Sequence, residues 1–393
     1  MISSKPLTRW IIALLAATFL QVATASAAGS PGIQKIKNIT IYEHEDFYST
    51  FPSIVRRPDG DLLVAFRRAP NRRKLGDGKY SHSDPNSYLV SVRSKDSGQT
   101  WTKEPELIYA HPYGGSQDPC MVQLSDGSIL CTSYGWAAME QSQIEKLQKP
   151  VHISGKNFVF MGGYILRSDN GGKSWTTILP APTKTDRTVG IFGQPVPAFN
   201  RGAMHEGSNG RLYWVAQTFS GTNPRHTENH LMISDDKGLT WSYSSVVAAD
   251  PKVQFNETSI YETPKKDLVA FMRTAGYDDH LAIARSTDSG KSFTWTDGGF
   301  QGHPFHAVRL PDKRVLLVYG YRHPPYGIRA RVLNAECTDA ATAPEVVLRD
   351  DGGGGDLGYP WVTVLSKKQA LVVYYFNRAD GPRTIESTLV ELQ

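Results

Sequence analysis

Cysteine is scarce in this chain, with 3 among 393 residues, which excludes a small scaffold stapled by disulfides. Cys120 and Cys131 fall on the two arms of one predicted hairpin and could pair, leaving Cys337 free. Charge is sparse too: Asp, Glu, Lys and Arg make up 21% of residues and the formal balance is +5. No dense Lys/Arg patch accompanies that small excess, so nucleic acid is not an expected partner. Long apolar runs are missing. The run Trp10 to Leu20 is shorter than the roughly 20 residues a bilayer requires, so no stable membrane insertion is expected. The 11 His show no ligand spacing such as HExxH, no cysteines are closely spaced, and neither a Walker loop nor a dinucleotide fingerprint stands in a strand–helix context. No metal and no cofactor is expected.

What is present is an apolar fraction of 40% with 18 Tyr, 15 Phe and 8 Trp, too much buriable surface for a disordered chain. The 35 Gly and 24 Pro are scattered too evenly for a helical bundle and suit many short strands joined by tight turns. Residues 1–27 read as a secretory leader: Lys5 and Arg9 form a charged start, residues 10–20 an apolar core, and Ala25-Ser26-Ala27 a small-residue cleavage site. The remainder, 28–393, is expected to be one exported domain, periplasmic or extracellular.

Two patterns recur. The first is a short strand, a tight polar turn and a strongly apolar strand, at 54–66, 121–134, 203–216, 259–272, 307–320 and 362–375. The turns carry Gly, Asp, Asn or Lys, which tolerate the positive φ of tight hairpins. The second is Ser-x-Asp-x-Gly-x-Thr-Trp, as SKDSGQTW (94–101), SDNGGKSW (168–175), SDDKGLTW (234–241) and STDSGKSF (286–293). Its Ser and Asp can bond the backbone of a turn while its aromatic packs between units. Six hairpins, each followed by outer strands, predict an all-β, six-bladed β-propeller. The final strand, 384–393, leaves the sixth blade one strand short, and residues 38–43 can supply it, closing the ring with both termini. Insertions at 69–87, 136–157 and 179–198 are expected as rim loops.

Counting outward from each turn places residues level with one another. Glu257 and Arg273 are each 8 residues from Lys265 and meet at the open end of the fourth hairpin. The first hairpin brings Thr50 and Phe51 level with Arg67 and Arg68; the second sets Asp118 against Tyr134. The fifth sets His303 against Tyr321 and Arg322, and the sixth sets Tyr359 against Tyr375. Asp84 and Arg329, in loops that lead into third strands, join the same rim. Several cations converging on a few acids and a tyrosine suit an acidic sugar.

The second pattern resembles the Asp box of the sialidase (neuraminidase) superfamily, and the resemblance extends over essentially all of 28–393. YSTFPSIVRRPDGDLLVAF (48–66) is similar to the family's opening Tyr-Arg-Ile-Pro hairpin. SHSDPNSYLVSVRS (81–94) resembles the loop with the catalytic aspartate, implying Asp84 as acid/base. NETSIYETPKKDLVAFMR (256–273) implies Glu257 as the glutamate partner and Arg273 as a carboxylate-binding arginine. YGIRARV (326–332) implies Arg329 as a further arginine, and GYPWVTVL (358–365) implies Tyr359 as the nucleophile. The resemblance thus implies a retaining exo-glycosidase that takes an acidic glycan, with Tyr359, Glu257 and Asp84 catalytic. Arg273, Arg329, Arg67, Arg68, Arg322 and Asp118 would bind substrate. The sequence departs from the family at Thr50, where the first arginine is expected, and Arg322 is placed to compensate. Two other readings stay open: the same fold acting on another acidic sugar, by hydrolysis or by elimination with His205 or His303 taking part, and a glycan-binding propeller in which Trp136, Tyr134, Tyr321 and Tyr326 stack sugars.

Overall fold

A computed structural model of the chain describes Met1 and residues 32–77, 82–154, 157–183, 188–219, 226–378 and 381–393. The leader expected at 1–27 lies outside the described residues, Met1 apart. Each of the six hairpins forms, and each gains outer strands to make a blade of a six-bladed β-propeller. Blade 1 runs Phe47–Arg56, Leu62–Pro70, Tyr88–Ser94 and Glu106–Tyr109 from axis to edge; blade 4 runs Gln254–Glu262, Leu268–Ala275, His280–Ser286 and Thr294–Gln301. The hairpin turns close as their residue types require, with positive φ at Gly60, Gly127, Gly210, Lys266 and Lys313.

Blade 6 consists of Gly358–Val364, Gln369–Phe376 and Thr384–Leu392, and its fourth strand is Ile33–Tyr42 from the other end of the chain. The ladder runs from Ile33 opposite Leu392 to Tyr42 opposite Ile385, so the expected closure forms and begins five residues earlier than residue 38. Arg349, at the end of blade 5, reaches into this last blade. Its Nη1 donates to Glu386 Oε2 at 2.6 Å, its Nε and Nη2 to Asp351 at 2.6 and 2.8 Å, and its guanidinium lies 3.8 Å from the Phe376 ring centre. Arg349 and Glu386 are both buried.

The four turns share the bond from Ser to Asp, or to Asn170 in the second, and the bond from the Gly N–H to Ser. In the first, Ser94 Oγ donates to Asp96 Oδ1 at 2.8 Å, the Gly98 N–H donates to Ser94 Oγ at 2.8 Å, and Trp101 Nε1 donates to the Gly98 carbonyl at 3.2 Å. These turns join third to fourth strands, so they sit at the hairpin-turn end of the propeller, away from the rim where Glu257 and Arg273 meet. Their role is to fix the blades. Cys120 and Cys131 do not pair: Cys120 stands opposite Thr132 and Cys131 opposite Met121, and the three cysteines are free and buried.

Glu386→Ala leaves Arg349 inside the blade 5–6 seam with Asp351 as its one carboxylate and the Tyr374 hydroxyl at 3.3 Å. The expected cost is on the order of 3 kcal/mol, read as a lower urea midpoint at unchanged m-value; a loss under about 1 kcal/mol would show that Asp351 and Tyr374 satisfy the guanidinium without Glu386.

Candidate active site

The inner strands break at one rim, and the breaks carry the site. In blade 1, Thr50 pairs with Arg67 and Ser53 with Ala65, so Phe51 and Pro52 bulge out opposite one residue, with Phe51 at φ 58°. In blade 4, Phe255 pairs with Thr274 and Thr258 with Met272, leaving Asn256 and Glu257 opposite Arg273. In blade 6, Gly358 pairs with Tyr375 and Trp361 with Val373, so Tyr359 and Pro360 bulge, with Tyr359 at φ 53°. Blade 2 is interrupted outright: its inner strand is split into Gly115–Ser116 and Cys120–Gln123, and Asp118 sits in the gap. A bulge turns a side chain out of the ladder's alternation, and here it turns Glu257 and Tyr359 toward each other.

Tyr359 Oη donates to Glu257 Oε1. Arg273 Nη1 donates to Glu257 Oε2 at 2.6 Å and to Tyr359 Oη at 3.0 Å. Arg322 lies over the Tyr359 ring, 5.1 Å from its centre, and its Nε and Nη2 donate to the Leu357 carbonyl and Tyr375 Oη, each at 3.0 Å. Phe51 packs edge-on against Tyr359, with ring centres 4.7 Å apart. Under the ring lies Arg201, a residue the sequence reading passed over. It is buried, 5.0 Å from the Tyr359 ring centre, and donates to the Tyr359 and Pro52 carbonyls, each at 3.2 Å. The same hairpin counting, applied to the third hairpin, sets Arg201 at the rim level of Asp118 and Glu257.

The charges follow from burial and neighbours. Burial pushes the Tyr359 phenol well above the ordinary tyrosine range, and the Glu257 charge adds to this against Arg273 and Arg322. Burial alone would raise Glu257, but the Arg273 cation, then the hydrogen bond from Tyr359, hold it below its usual range. The resting pair is therefore a neutral phenol on an ionised carboxylate, the state from which Glu257 can take the phenolic proton. Asp118 is different. It accepts from Tyr134 Oη at 3.1 Å, and it is pushed up to about 6, first by burial and then by the Glu257 charge, against Arg201 and Arg67.

The other expected residues divide. Arg67 is buried beside them, its Nε donating to the Ser116 carbonyl at 3.2 Å, and the Asp118 and Asp84 carboxylates act on its charge. Asp84 is buried at the rim, held by Arg72: Nε to Oδ2 at 2.6 Å and Nη2 to Oδ1 at 3.0 Å. Arg68 faces the seam with blade 6, where Nε and Nη1 donate to Tyr88 and Tyr42 at 2.8 and 3.0 Å. Arg329 is not brought to Tyr359 either. Its guanidinium donates to the carbonyls of Pro325, Ile328 and Arg349 and lies 4.8 Å from the Tyr321 ring centre. It is Arg322 that occupies the second arginine position at the phenol. His205 lines a groove with Tyr261, Pro264 and Lys266 at the hairpin-turn end, away from the site rather than near it. His303 is buried close to Arg273 and Arg322, burial and those cations keep it neutral, and among the described residues neither ring nitrogen has a hydrogen-bond partner. Trp136 packs on Phe160, with ring centres 4.9 Å apart.

Six blades, Asp-box turns and a rim cluster of Tyr, Glu and Arg define the class as a sialidase-like β-propeller. Residues 148–371 match the BNR repeat-like domain, and the chain belongs to that family. A protein of unknown function from Dyadobacter fermentans shares 57% identity over 93% of this chain and 100% of its own, with a TM-score of 0.90. More distant structures share the fold. The NanB sialidase of Streptococcus pneumoniae is 16% identical, with a TM-score of 0.58 over 92% of this chain and 70% of its own. The alpha-L-arabinanase of Penicillium chrysogenum is 14% identical, with a TM-score of 0.60 over 91% of this chain and 98% of its own. No curated protein matches the chain.

Asp118 gives a stability signature. Its carboxyl keeps its proton to about pH 6 in the fold but loses it near pH 4 once unfolded. From about pH 4 to 6 the folded state holds the extra proton, so this group lowers stability as pH rises and its cost levels off above pH 6. Asp118→Asn removes that cost while Tyr134 keeps an oxygen to donate to. The variant is expected to match the parent near pH 4 and exceed it by roughly 1–3 kcal/mol at pH 7 in urea unfolding. An advantage that does not change with pH would contradict it.

Proposed function

We propose that this protein is an exported exo-glycosidase that releases a terminal acidic sugar, sialic acid being favoured, with retention of configuration. The observation that carries this reading is the buried triad in which Tyr359 Oη donates to Glu257 while Arg273 bonds both. A sialoside carries its carboxylate on the anomeric carbon, so a carboxylate nucleophile would approach against like charge. A neutral phenol avoids that repulsion, and Glu257 is placed to accept its proton as it attacks. Arg273 and Arg322 supply cations at the phenol for the substrate carboxylate. The proton for the leaving oxygen comes from a rim carboxylate, for which the first two blades offer Asp84 and Asp118. Export rests on the leader at 1–27; among the described residues no helix is long and apolar enough to cross a membrane.

The sialidases among the structural relatives support the sugar class, and the arabinanase shows how widely it varies on this fold. Thr50 supports a second reading, hydrolysis of a different acidic sugar. It stands where the family's first arginine is expected, is fully buried, and leaves Phe51 rather than a cation against Tyr359. One missing charged hydrogen bond removes roughly 1.5–3 kcal/mol, on the order of 10–100-fold in affinity for a sialic acid. Of the two histidines, His205 is at the opposite end, so elimination would rest on His303 alone.

The test is fluorophore release from an aryl α-sialoside by the purified protein, with Tyr359→Phe alongside. Turnover by the parent and a loss of at least about 10³-fold in the variant is the expected result. A folded Tyr359→Phe protein that keeps near-full activity would sink the nucleophile. A parent active on aryl uronides but not on the sialoside would select the second reading.

A further inference from the structure

Two carboxylates flank the rim, and they are held very differently. Both oxygens of Asp84 are occupied: Arg72 grips them as a fork at 2.6 and 3.0 Å, and the Asn86 N–H donates to Oδ1 at 2.9 Å. That fork ties residue 72 to residue 84 across the connection between the second and third strands of blade 1. It commits one acceptor site of Oδ2 and both of Oδ1 to the connection itself. Asp118 has no such clamp. It projects from the gap in the blade 2 inner strand, is buried, and accepts a neutral hydroxyl from Tyr134 at 3.1 Å. Among the described residues no Lys, Arg or His nitrogen reaches it as an ion pair.

We propose that Asp118, not Asp84, is the acid/base of the glycosidase reaction put forward above, on whose nucleophile it depends, and that Asp84 with Arg72 is a positioning pair. In the first step the Asp118 carboxyl gives its proton to the glycosidic oxygen as the bond from that oxygen to the anomeric carbon breaks, the electron pair leaving with the oxygen. Tyr359 Oη bonds to the same carbon and its proton passes to Glu257. In the second step a water oxygen bonds to the anomeric carbon as the Tyr359 bond breaks. The water proton goes to Asp118, and Tyr359 takes its own proton back from Glu257. Atoms and charge balance over the cycle, and both groups return to their starting states.

The surroundings suit the assignment. The groups facing Asp118 are Tyr134 on its own blade, Arg67 of blade 1, Arg201 of blade 3, Glu257 of blade 4 and Tyr359 of blade 6. Burial and the ionised Glu257 favour the protonated form, and they raise it to about 6 against the two arginines. Glu257, lowered by Arg273, stays charged in the same site. Two carboxylates driven apart in this way take opposite proton roles.

The experiment compares Asp118→Asn, Asp84→Asn and Tyr134→Phe on two substrates of one sugar, the aryl α-sialoside and sialyllactose, or the matching uronide pair if that is what the parent cleaves. An aryloxide leaves without help, whereas the lactose oxygen needs a proton. Asp118→Asn is expected to lose about 10²–10⁴-fold on the disaccharide and far less on the aryl glycoside, with azide restoring aryl turnover as the retained glycosyl azide. Tyr134→Phe removes the hydroxyl that favours the ionised carboxylate. It is expected to move the alkaline limb of the kcat/KM profile upward from about pH 6 with the plateau retained, a shift that damaged packing would not produce. The assignment is overturned if Asp84→Asn shows the leaving-group pattern while Asp118→Asn lowers both substrates equally, or if Tyr134→Phe leaves the alkaline limb in place. A parent inactive on every aryl glycoside overturns the glycosidase reading itself, and that failure is visible before any variant is compared.

Discussion

A proline nitrogen has no hydrogen to give to a neighbouring strand, and this propeller sets a proline at the rim end of four inner strands: Pro52, Pro119, Pro304 and Pro360. Where the ladder cannot form, the chain bulges or breaks. The residue before each proline is Phe51, Asp118, His303 or Tyr359, and each is at or beside the site. Blade 4 reaches the same result without proline, by bulging Asn256 and Glu257 opposite Arg273. A regular ladder would alternate these side chains between the two faces of each blade. The interrupted ladder instead turns them toward the axis, and six blades around one axis bring them within reach of one another.

Collecting those groups in a buried space determines their chemistry. Opposite charges that would be screened in water interact strongly here, so Arg273 fixes Glu257 as an anion even though burial opposes it. The phenol between them is held neutral by burial and by that same anion. In the proposed reaction it would lose its proton to Glu257 as it forms a bond, not beforehand. Arg201 underneath contributes structure: it joins Pro52 of blade 1, Cys120 of blade 2 and Tyr359 of blade 6 by hydrogen bonds. One cation thus pins three of the broken strands in mutual register.

Counting along hairpins recovered much of this because a ladder preserves level: Thr50 does stand opposite Arg67, and Glu257 does meet Arg273. Counting does not preserve face once a bulge intervenes. Tyr375 stands opposite Gly358 rather than Tyr359 for that reason. Arg68 and Arg329 are at rim level yet turn into the seam with blade 6 and into blade 5, while Arg322, just past the end of its strand, turns over the phenol. The fork between Arg72 and Asp84 lies between two loop residues, where no ladder periodicity applies. Arg201 was legible by the same counting, although its inner strand pairs only at His205 and Glu206 before the separate bridge from Phe199 to Gln217.

At the first inner strand Thr50 is buried and its neighbour Phe51 meets the phenol. Phe51 covers the edge of Tyr359 and also packs 5.2 Å from Tyr375, so that side of the phenol is walled by aromatic rings. Removing a cation from beside a phenol leaves its ionised form less stabilised. The remaining help must then come from Arg273 and Arg322, which are already bonded to Glu257, Leu357 and Tyr375. A substrate carboxylate would have to share those guanidinium groups rather than find a vacant clamp. On the proposed reading, such a site would gain most from a sugar whose own bulk fills the space over Phe51 with C–H groups while its carboxylate reaches toward blades 4 and 5. Selectivity would then rest on the apolar wall as much as on the arginines.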